Sequence, residues 1–578
     1  PASDLYSIMK FDWNIKEYSE KKVRQIASEL NLPFSIAVVL YNRGFTNVTE
    51  IRHFFNPTLD DLYDPFLLKD MDKAVDRIQS AFMEKETVMI YGDYDVDGTT
   101  ATSLLYLFLH EIGLNTIYYI PDREKEGYGL SRAGIDNAIQ HNTKLIITCD
   151  CGINAFEEAD YAKANNIDLI VTDHHEPAEK LPDALAILDP KREDDFYPFK
   201  ELCGAGVAFK LLQAFSIKNN IPLEMLYRHL DIVAIGTAAD IVPILDENRI
   251  LVAKGLEYLN RTNKVGVNAL LKVSGFSNKV LNVVNIVFGL APRINAAGRL
   301  GEATRAVKLL TSFDRIEAKE LSSLLELENR QRQSIEKETI DQAILQLNAT
   351  HDIFKDKLFV ISGENWHQGV IGIVASKLKE IYNRPVVMIS IQNGTGRGSA
   401  RSIPDFDLYS AFTECTDLLE NYGGHKMAAG LTIAKEKIPQ FEQRIKRIAN
   451  QQITDEMLHP RLFIDCEIDF NEINQEYLNQ LKKMAPFGPG NMRPIFMARN
   501  LSISGMPRIV GENHLKFKAA KDRKVISAIG WKLGAMYEML ISNRPLDMAF
   551  VIEENEWNGI KEIQLNIKDI HYSDSSHY

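Results

Sequence analysis

The feature that most constrains the fold is a regular alternation of short β-branched runs with helix-like segments between residues 87 and 190. Segments such as "TTATSLLYLFLHEIG" and "AFEEADYAKANN" separate the runs. Strands that alternate with helices predict a largely parallel sheet with helices on both faces. The runs are "TVMIYGD" (87–93), "TIYYIPD" (116–122), "KLIITCD" (144–150), "DLIVTDHH" (168–175) and "LAILDP" (185–190).

Each of these runs ends on an aspartate or on a cluster that contains one. In open α/β sheets the ligand crevice lies outside the carboxyl ends of the strands. We therefore expect side chains that are far apart in sequence to converge at that edge. They are Asp93, Asp95, Asp97, Asp150, Asp173, His174 and His175.

The stretch "GDYDVDGTT" (92–100) places three carboxylates at alternate positions before a glycine. In isolation such a pattern is typical of a solvated turn or of an EF-hand loop. Calcium is disfavoured because a strand precedes the stretch and its twelfth loop position is the apolar Leu104. Asp240 lies in the apolar stretch "DIVAIGTAADIVPI", where an unpaired carboxylate is costly.

A set of Asp and His ligands without Cys suits Mg²⁺ or Mn²⁺ better than structural zinc, and histidine favours Mn²⁺. The number of carboxylates suits two ions. Two such ions activate a water and stabilise the leaving oxygen in phosphoester hydrolysis. The pattern thus predicts a two-metal phosphoesterase site.

The rest of the chain predicts an α/β protein with two α/β lobes and a C-terminal OB-like β-barrel. An uninterrupted helix with irregular heptads is expected over 313–350, which favours a connector over a coiled-coil dimer. Short strands with turns after residue 457 predict the barrel. The expected domains are a mostly helical lead-in (1–72), a catalytic domain (73–312), the connecting helix (313–350), a substrate-binding domain (351–456) and a nucleic-acid-binding domain (457–578).

Cysteine content, apolar runs and net charge limit the compartment and the binding partners that we expect. Five scattered cysteines do not form a disulfide framework, so we expect a reducing, cytoplasmic compartment and buried thiols at Cys149 and Cys151. The sequence contains neither an apolar run that could cross a bilayer nor a signal-peptide pattern at its start. A net charge of −13 disfavours duplex binding by the whole surface but leaves room for a local cationic groove.

Several motifs resemble one protein family. The blocks "DYDVDG", "TCDCGI", "VTDHHEP" and "GTAADIVP" resemble, in this order, the four motifs of the DHH phosphoesterase superfamily. The block "NYGGHKMAAGL" (421–431) resembles the Gly-Gly-His signature of its associated substrate domain. Five further blocks are similar to the RecJ branch of single-strand-specific exonucleases, and the resemblance covers about residues 75 to 573. They are "APRINAAGRLGEA" (291–303), "GENWHQGVIGIVASKL" (363–378), "GSARSIPDFDL" (398–408), "PFGPGNMRPIF" (486–496) and "NEWNG" (555–559).

The resemblance implies metal-dependent hydrolysis of single-stranded DNA from the 5′ end to mononucleotides, in DNA repair and recombination. It also implies a monomer that works beside a single-strand-binding protein and a helicase. By motif position the implied metal ligands are Asp95, Asp97, Asp150, His174 and Asp240, with His175 beside them on metal or phosphate. Many family members carry a ligand histidine where this chain has Tyr91, and Asp93 is a candidate for the missing ligand.

The resemblance also implies substrate-binding residues. On the second lobe Ser399, Arg401, Ser402 and His425 resemble phosphate-holding groups, and Gly423 and Gly424 let backbone N–H groups approach an anion. Arg293, Asn295 and Arg299 are expected to clamp a phosphate, although a surface ion pair is an equal alternative for Arg299.

In the C-terminal domain the basic run 508–524 includes Lys516 and Lys518, which are expected to bind the phosphates of the strand. His514, Phe517 and Trp531 are candidates for base stacking, with a core position as the alternative for Phe517.

Two other functions remain open from the sequence. One is a DHH phosphodiesterase that acts on short oligonucleotides or cyclic dinucleotides. The other is a non-catalytic replication scaffold, which is disfavoured because the motif carboxylates and histidines are all present.

Overall fold

The computed structural model describes residues 11–123, 125–557 and 559–573. The first ten and last five residues of the predicted terminal domains, and Asn558 of the "NEWNG" motif, lie outside these ranges. In chain order the strands are β1 Asp12–Ile15, β2 Thr87–Gly92, β3 Asn115–Tyr119, β4 Thr143–Cys149, β5 Asp168–Thr172, β6 Ala186–Leu188, β7 Phe359–Glu364, β8 Val386–Gln392, β9 Thr395–Arg401, β10 Asn421–His425, β11 Ala428–Ala434, β12 Arg461–Ile464, β13 Cys466–Glu467, β14 Phe496–Ile503, β15 Arg508–Val510, β16 His514–Lys521, β17 Lys524–Gly530, β18 Leu546–Trp557 and β19 Ile560–Tyr572.

The α-helices are α1 Glu20–Leu30, α2 Phe34–Asn42, α3 Val48–Phe55, α4 Met71–Glu84, α5 Val96–Glu111, α6 Arg132–Gln140, α7 Phe156–Ala164, α8 Gly204–Lys218, α9 Leu223–Tyr227, α10 Leu230–Ala239, α11 Asp246–Leu259, α12 Val265–Val273, α13 Val283–Asn285, α14 Ala291–Leu300, α15 Thr304–Thr311, α16 Arg315–Thr350, α17 Gln368–Tyr382, α18 Leu408–Thr413, α19 Ile438–Gln452, α20 Gln475–Lys482 and α21 Tyr537–Ile541. A π-helical turn over Ile286–Leu290 joins α13 to α14.

The chain forms two compact units. The first unit contains Thr49–Arg332 together with Met484–Met492, and the second unit contains the remaining residues. The division falls inside α16, so the chain passes from the first unit to the second within one 36-residue helix.

The first unit is built on a five-stranded sheet in the order β3-β2-β4-β5-β6, in which every pairing is parallel. Alternate residues of β2 enter different cores: Val88 and Ile90 pack in one cluster, whereas Met89 and Tyr91 pack in another. Burial of both faces is expected for a parallel sheet covered by helices. The predicted parallel sheet is confirmed.

One segment of the first unit comes from far along the chain. Met484–Met492 packs there although the residues on both sides of it belong to the second unit. The buried Arg249 guanidinium donates hydrogen bonds to the carbonyl of Phe54 and to three carbonyls at the start of this segment. The N–H of Ile244 donates to the carbonyl of Pro489 at 2.7 Å. These bonds fix the turn that follows α10.

The second unit contains a mixed sheet in the order β10-β11-β9-β8-β7. Its C-terminal part is a closed ring of strands, β14-β18-β19-β17-β16, which the pairing of β14 with β16 completes. Closure removes the free sheet edges. The predicted second α/β region and the OB-like barrel are both confirmed.

All five cysteines are buried and free, as predicted for Cys149 and Cys151. Within the described ranges, no helix combines the length and the apolar character needed to cross a bilayer.

Candidate metal centre and substrate-binding surfaces

Three aspartates continue the parallel strands of the first unit by one residue. The backbone N–H groups of Asp93, Asp150 and Asp173 donate to carbonyls of neighbouring strand ends at 3.2, 3.0 and 3.1 Å. Their side chains therefore start from one edge of the sheet, the carboxyl edge, where ligands bind in this class of fold.

The loop after β2 supplies two further carboxylates. Asp95 caps α5, and its Oδ1 accepts a hydrogen bond from the N–H of Gly98 at 3.1 Å. Asp97 lies in the first turn of α5 and is buried. Its two oxygens accept hydrogen bonds from the N–H groups of Gly204 (2.5 Å) and Ala205 (2.9 Å) at the start of α8. The N-terminus of α8 thus fixes Asp97.

His174 lies at the centre of the carboxylates. Its Nε2 is 3.0 Å from Oδ1 of Asp150, 3.6 Å from Oδ2 of Asp240 and 3.7 Å from Oδ2 of Asp97. The structure therefore brings together all seven residues that the sequence suggested as metal ligands. Their ligand atoms form three groups, each within 4.8 Å: Asp150, His174 and His175; Asp97, His174 and Asp240; and Asp93, Asp95 and Asp150.

The donor atoms of this cluster fit a bound cation. Within the described part of the chain, Oδ1 of Asp93, Oδ1 of Asp150, Oδ2 of Asp240 and Nε2 of His174 are buried without a hydrogen-bond partner. Buried carboxylate oxygens are costly unless a charge or a donor compensates them. An oxygen-rich set with imidazole suits Mn²⁺ or Mg²⁺, as the sequence predicted.

Burial and mutual repulsion change the protonation of the metal-free cluster. Burial, with the charge of Asp95, raises the pKa of Asp97 to about 7. Burial, with the charges of Asp97 and Asp95, raises the pKa of Asp240 to about 9, and the pKa of Asp150 is raised for the same reasons. Burial lowers the pKa of His174 to about 3, so its imidazole is neutral and suited to bind a metal. A cation that binds here displaces protons from the carboxyl groups.

Asp173 explains how two adjacent histidines reach one site. Its Oδ1 accepts a hydrogen bond from the N–H of His174 at 2.8 Å and lies 2.7 Å from Nδ1 of His175. Its Oδ2 accepts a hydrogen bond from the N–H of Ile153 at 3.0 Å. Burial lowers the pKa of His175, but the hydrogen bond with Asp173 and the charges of Asp173, Asp97 and Asp93 together outweigh burial and leave that pKa raised. The strand has ended at Asp173, and this carboxylate orients the second imidazole.

Tyr91 stands where the resemblance implies a ligand histidine in many family members, and its hydroxyl makes other contacts. Its hydroxyl donates to the carbonyl of Gly129 and accepts from the N–H of Ser131, both at 3.1 Å. Asp93 lies with Asp95 and Asp150 in one of the ligand groups. This placement supports Asp93 as the replacement ligand, which stays a prediction.

Sequence reasoning missed residues that follow β3. The hydroxyl of Tyr128 donates to the backbone carbonyl of Asp150 at 3.1 Å and lies 3.3 Å from the ring nitrogens of His175. The guanidinium of Arg123 lies 5.2 Å from the ring centroid of Tyr94. The sequence could have indicated Arg123 and Tyr128, because they also follow the carboxyl end of a strand of the same sheet.

The predicted phosphate clamp on α14 has mixed support. Burial, together with the charges of the nearby Arg123 and Arg332, lowers the pKa of Arg299 to about 10. Several cations close together favour a bound anion there. Arg293, by contrast, is already paired with Glu326 at 2.6 Å. Asn295 lies on the same helix and is partly buried. The substrate roles of these residues remain predictions.

The second unit places four predicted phosphate-binding residues on one sheet. Strand β11 lies between β9 and β10. Across it, Ser399 of β9 aligns with Gly423 of β10, and Arg401 of β9 aligns with His425 of β10. Residues two apart in a strand share a face, so these four positions share one. Arg401 donates a hydrogen bond to Oγ of Ser399 at 3.1 Å.

Gly424 and Ser402, which neighbour these four residues in sequence, have different surroundings. Gly424 has a φ of +132°, a conformation that L side chains rarely adopt, and a Cβ there would lie 2.5 Å from the carbonyl oxygen of Ala428. Ser402 is buried, and its hydroxyl donates to the carbonyl of Phe406 at 2.7 Å. Its hydroxyl is therefore engaged inside the domain, so its position lends no support to the substrate role that the sequence suggested.

In the barrel, Lys516 and Lys518 occupy exposed, alternate positions of β16. Phe517 between them is buried, so the suggestion that it stacks on bases is wrong and the alternative of a core position is correct. Trp531 is 56% exposed, and its ring centroid lies 4.9 Å from that of His514. These two rings remain candidates for stacking.

Comparison with known proteins agrees with this geometry. Residues 87–237 match the DHH family N-terminal domain, residues 355–451 match the DHHA1 domain, and residues 464–569 match the RecJ OB domain. The single-stranded-DNA-specific exonuclease RecJ of Bacillus subtilis (strain 168) is 38% identical over 563 residues, which cover 97% of this chain and 71% of that protein. The protein of the same name from Escherichia coli (strain K12) is 32% identical over 582 residues, which cover 96% of this chain and all of that protein.

The fold comparison gives the same result. The crystal structure of RecJ in complex with Mn²⁺ from Thermus thermophilus has a TM-score of 0.83 and 28% identity, with 98% of this chain and 80% of that chain covered. Another crystal structure of the same protein contains Mg²⁺. Since sequence and fold agree over nearly the whole chain, this protein belongs to the RecJ family.

Proposed function

We propose that this protein is a metal-dependent exonuclease that hydrolyses single-stranded DNA from the 5′ end to mononucleotides. One observation carries the proposal: three interlocking groups of Asp and His ligand atoms meet at the carboxyl edge of the parallel sheet. The exonuclease named in the comparisons acts on single-stranded DNA, and this chain contains the same set of domains.

The ligand groups suggest how two ions are held. Asp93 and Asp95 would hold one ion, and Asp97 and Asp240 the other. Asp150 belongs to two of the groups and is the candidate bridge. When bound, Mn²⁺ or Mg²⁺ supplies a water of lowered pKa and neutralises charge on the phosphate.

The chain's own residues orient the reacting groups. The start of α8 holds Asp97, and Asp173 holds Nδ1 of His175. His175, whose Nδ1 lies 2.7 Å from Asp173, would bind a metal ion or donate to a phosphate oxygen. Arg299 adds a cation close to Asp95.

Substrate positioning falls to the cationic and glycine-rich surfaces. The face of β9 and β10 that carries Ser399 and Arg401 suits a strand phosphate held apart from the reacting one. Lys516 and Lys518 suit phosphates further along the strand, with Trp531 for a base. The prediction for Lys516 and Lys518 rests on their exposure and charge.

The alternatives are less well supported. A phosphodiesterase that acts on dinucleotides would not require the exposed lysines of a RecJ-type OB domain. A non-catalytic scaffold would not require seven candidate metal ligands to converge. We also propose a cytoplasmic, monomeric protein that acts beside a single-strand-binding protein and a helicase, with the domain boundaries stated above.

Digestion of 5′-labelled and 3′-labelled single strands tests this proposal. We expect the 5′ label to appear at once as a mononucleotide, whereas the 3′ label remains in progressively shorter strands. Preferential cleavage of two-nucleotide substrates would favour the phosphodiesterase alternative. The reverse order of label release would overturn the proposed polarity.

A further inference from the structure

Ile241 has an unusual backbone conformation beside the metal centre. It directly follows Asp240, has a φ of +66° and is 74% exposed. Left-handed conformations are uncommon for residues other than glycine, and a β-branched residue there is an outlier. Among the described non-glycine residues with positive φ, Ile241 is the single β-branched one, whereas most of the others are Asn or Asp.

The surrounding structure holds this conformation on both sides. The N–H of Asp240 donates to the carbonyl of Gly236 and closes α10. The side-chain amide of Asn248 donates to the carbonyl of Pro243 at 3.0 Å. The N–H of Ile244 bonds to the segment Met484–Met492 at Pro489. Ile241 is thus a short strained link between two fixed elements of the same unit.

The strained backbone and the exposed side chain of Ile241 together indicate a functional position. A glycine or an asparagine would adopt this φ more readily, and the exposed isoleucine side chain gains little burial in return. Residues held in sparsely populated conformations cluster at functional sites. Asp240 lies in a metal-ligand group with Asp97 and His174, and the exposed Ile241 directly follows it in the chain.

We propose that Ile241 is a substrate-contacting residue that packs against the nucleobase next to the phosphate at the metal centre. The inference rests on the proposed function. An apolar contact suits a nuclease that accepts any sequence, because every base presents an apolar face. The side chain would hold the terminal nucleotide in place while its phosphate lies at the metal centre that the carboxylates and His174 would form.

The test combines protein variants with substrate variants. Ile241→Gly and Ile241→Asn remove the apolar side chain and suit a positive φ, whereas Ile241→Val is the matched control that keeps both apolarity and strain. Each is assayed in Mn²⁺ on a single strand and on the same strand with an abasic terminal nucleotide. We expect kcat/KM on the intact strand to fall by about tenfold for Gly and Asn and to change little for Val. On the abasic strand all four proteins should be similar.

Two further measurements separate a lost substrate contact from a loss of folding or of metal binding. The metal-free Tm of Ile241→Gly should equal or exceed that of the unmodified protein, and the rise in Tm with Mn²⁺ should be unchanged. Full activity of Ile241→Gly, an equal loss on intact and abasic strands, or loss of the Mn²⁺ response would each overturn the inference. Inactivity of the unmodified protein on every single strand would instead overturn the proposed function itself.

Discussion

Nε2 of His174 lies 3.0 Å from Oδ1 of Asp150, and both atoms are buried. The two residues follow β5 and β4, neighbouring parallel strands whose ends meet at one edge of the sheet. Neither atom has a hydrogen-bond partner in the described part of the chain. A shared cation would satisfy both, and Asp150 also belongs to the group that contains Asp93 and Asp95. Asp150 is therefore the candidate link between the two proposed ion positions.

Replacing Asp150 with asparagine should abolish cleavage and leave the fold intact. Its φ of +61° suits Asn as well as Asp, so Asp150→Asn removes the charge without adding backbone strain. We expect kcat to fall by at least about a hundredfold. The metal-free Tm should stay the same or rise, because burial and nearby carboxylates disfavour the ionised form. Asp160→Asn, on the exposed side of α7, is the control. Retention of more than about a tenth of the activity would remove Asp150 from the ligand set.

Asp173→Asn tests the positioning of His175. Asparagine loses the charge that holds Nδ1 of His175, and it keeps an acceptor oxygen for only one of the two sets of backbone donors, those of His174 or of Ile153. We expect a loss of activity of about 10- to 100-fold at limiting Mn²⁺, with partial recovery at high Mn²⁺. Activity titrated against Mn²⁺ for both proteins measures this. Identical titration curves would show that Asp173 has only a structural role.

The effect of Mn²⁺ on stability should grow with pH. The folded-state pKa values of Asp97 and Asp240 are raised to about 7 and about 9. A raised pKa contributes stability at low pH that is lost as the pH rises through the raised value. Mn²⁺ competes with these protons and binds more tightly as they leave. The difference in Tm with and without Mn²⁺ should therefore widen between about pH 6 and pH 8.5, and Asp240→Asn should flatten the trend. A difference that is independent of pH would refute this protonation scheme.

Neutralising Lys516 and Lys518 should weaken binding of long strands more than of short ones. Each lost phosphate contact should reduce the log–log salt slope of binding by about 0.7. Binding of labelled single strands of several lengths, measured at several salt concentrations, compares the double Lys→Gln variant with the unmodified protein. Lys561→Gln is the control, because that ammonium is already paired with Glu554 at 3.1 Å. If the double variant behaves like the control, β16 does not contact the strand.

Local patterns in the sequence predicted the parallel sheet and the convergence of the aspartates and histidines at its strand ends, whereas Asp240, which follows a helix, was implied by the family resemblance. Short β-branched runs that end in aspartate identify the strands and their carboxyl ends. The sequence left two alternatives for Phe517, base stacking or a core position, and the structure places it in the core between the exposed Lys516 and Lys518.

Other features depend on contacts that no local pattern encodes. The donors to Asp97 lie more than 100 residues away, at Gly204 and Ala205. Arg293 is engaged by Glu326 of the next long helix. The segment Met484–Met492 packs in the first unit although its sequence neighbours do not. Such tertiary partners are fixed by the whole chain and emerge only with the fold.

The most direct test is hydrolysis of a 5′-labelled single strand by the purified protein in Mn²⁺, in Mg²⁺ and in EDTA, beside a matched duplex and the Asp150→Asn variant. We expect metal-dependent release of labelled mononucleotide from the single strand, little from the duplex, and none in EDTA or with the variant. Absence of hydrolysis with either metal, or hydrolysis that survives both EDTA and the variant, would contradict a metal-dependent single-strand nuclease centred on Asp150.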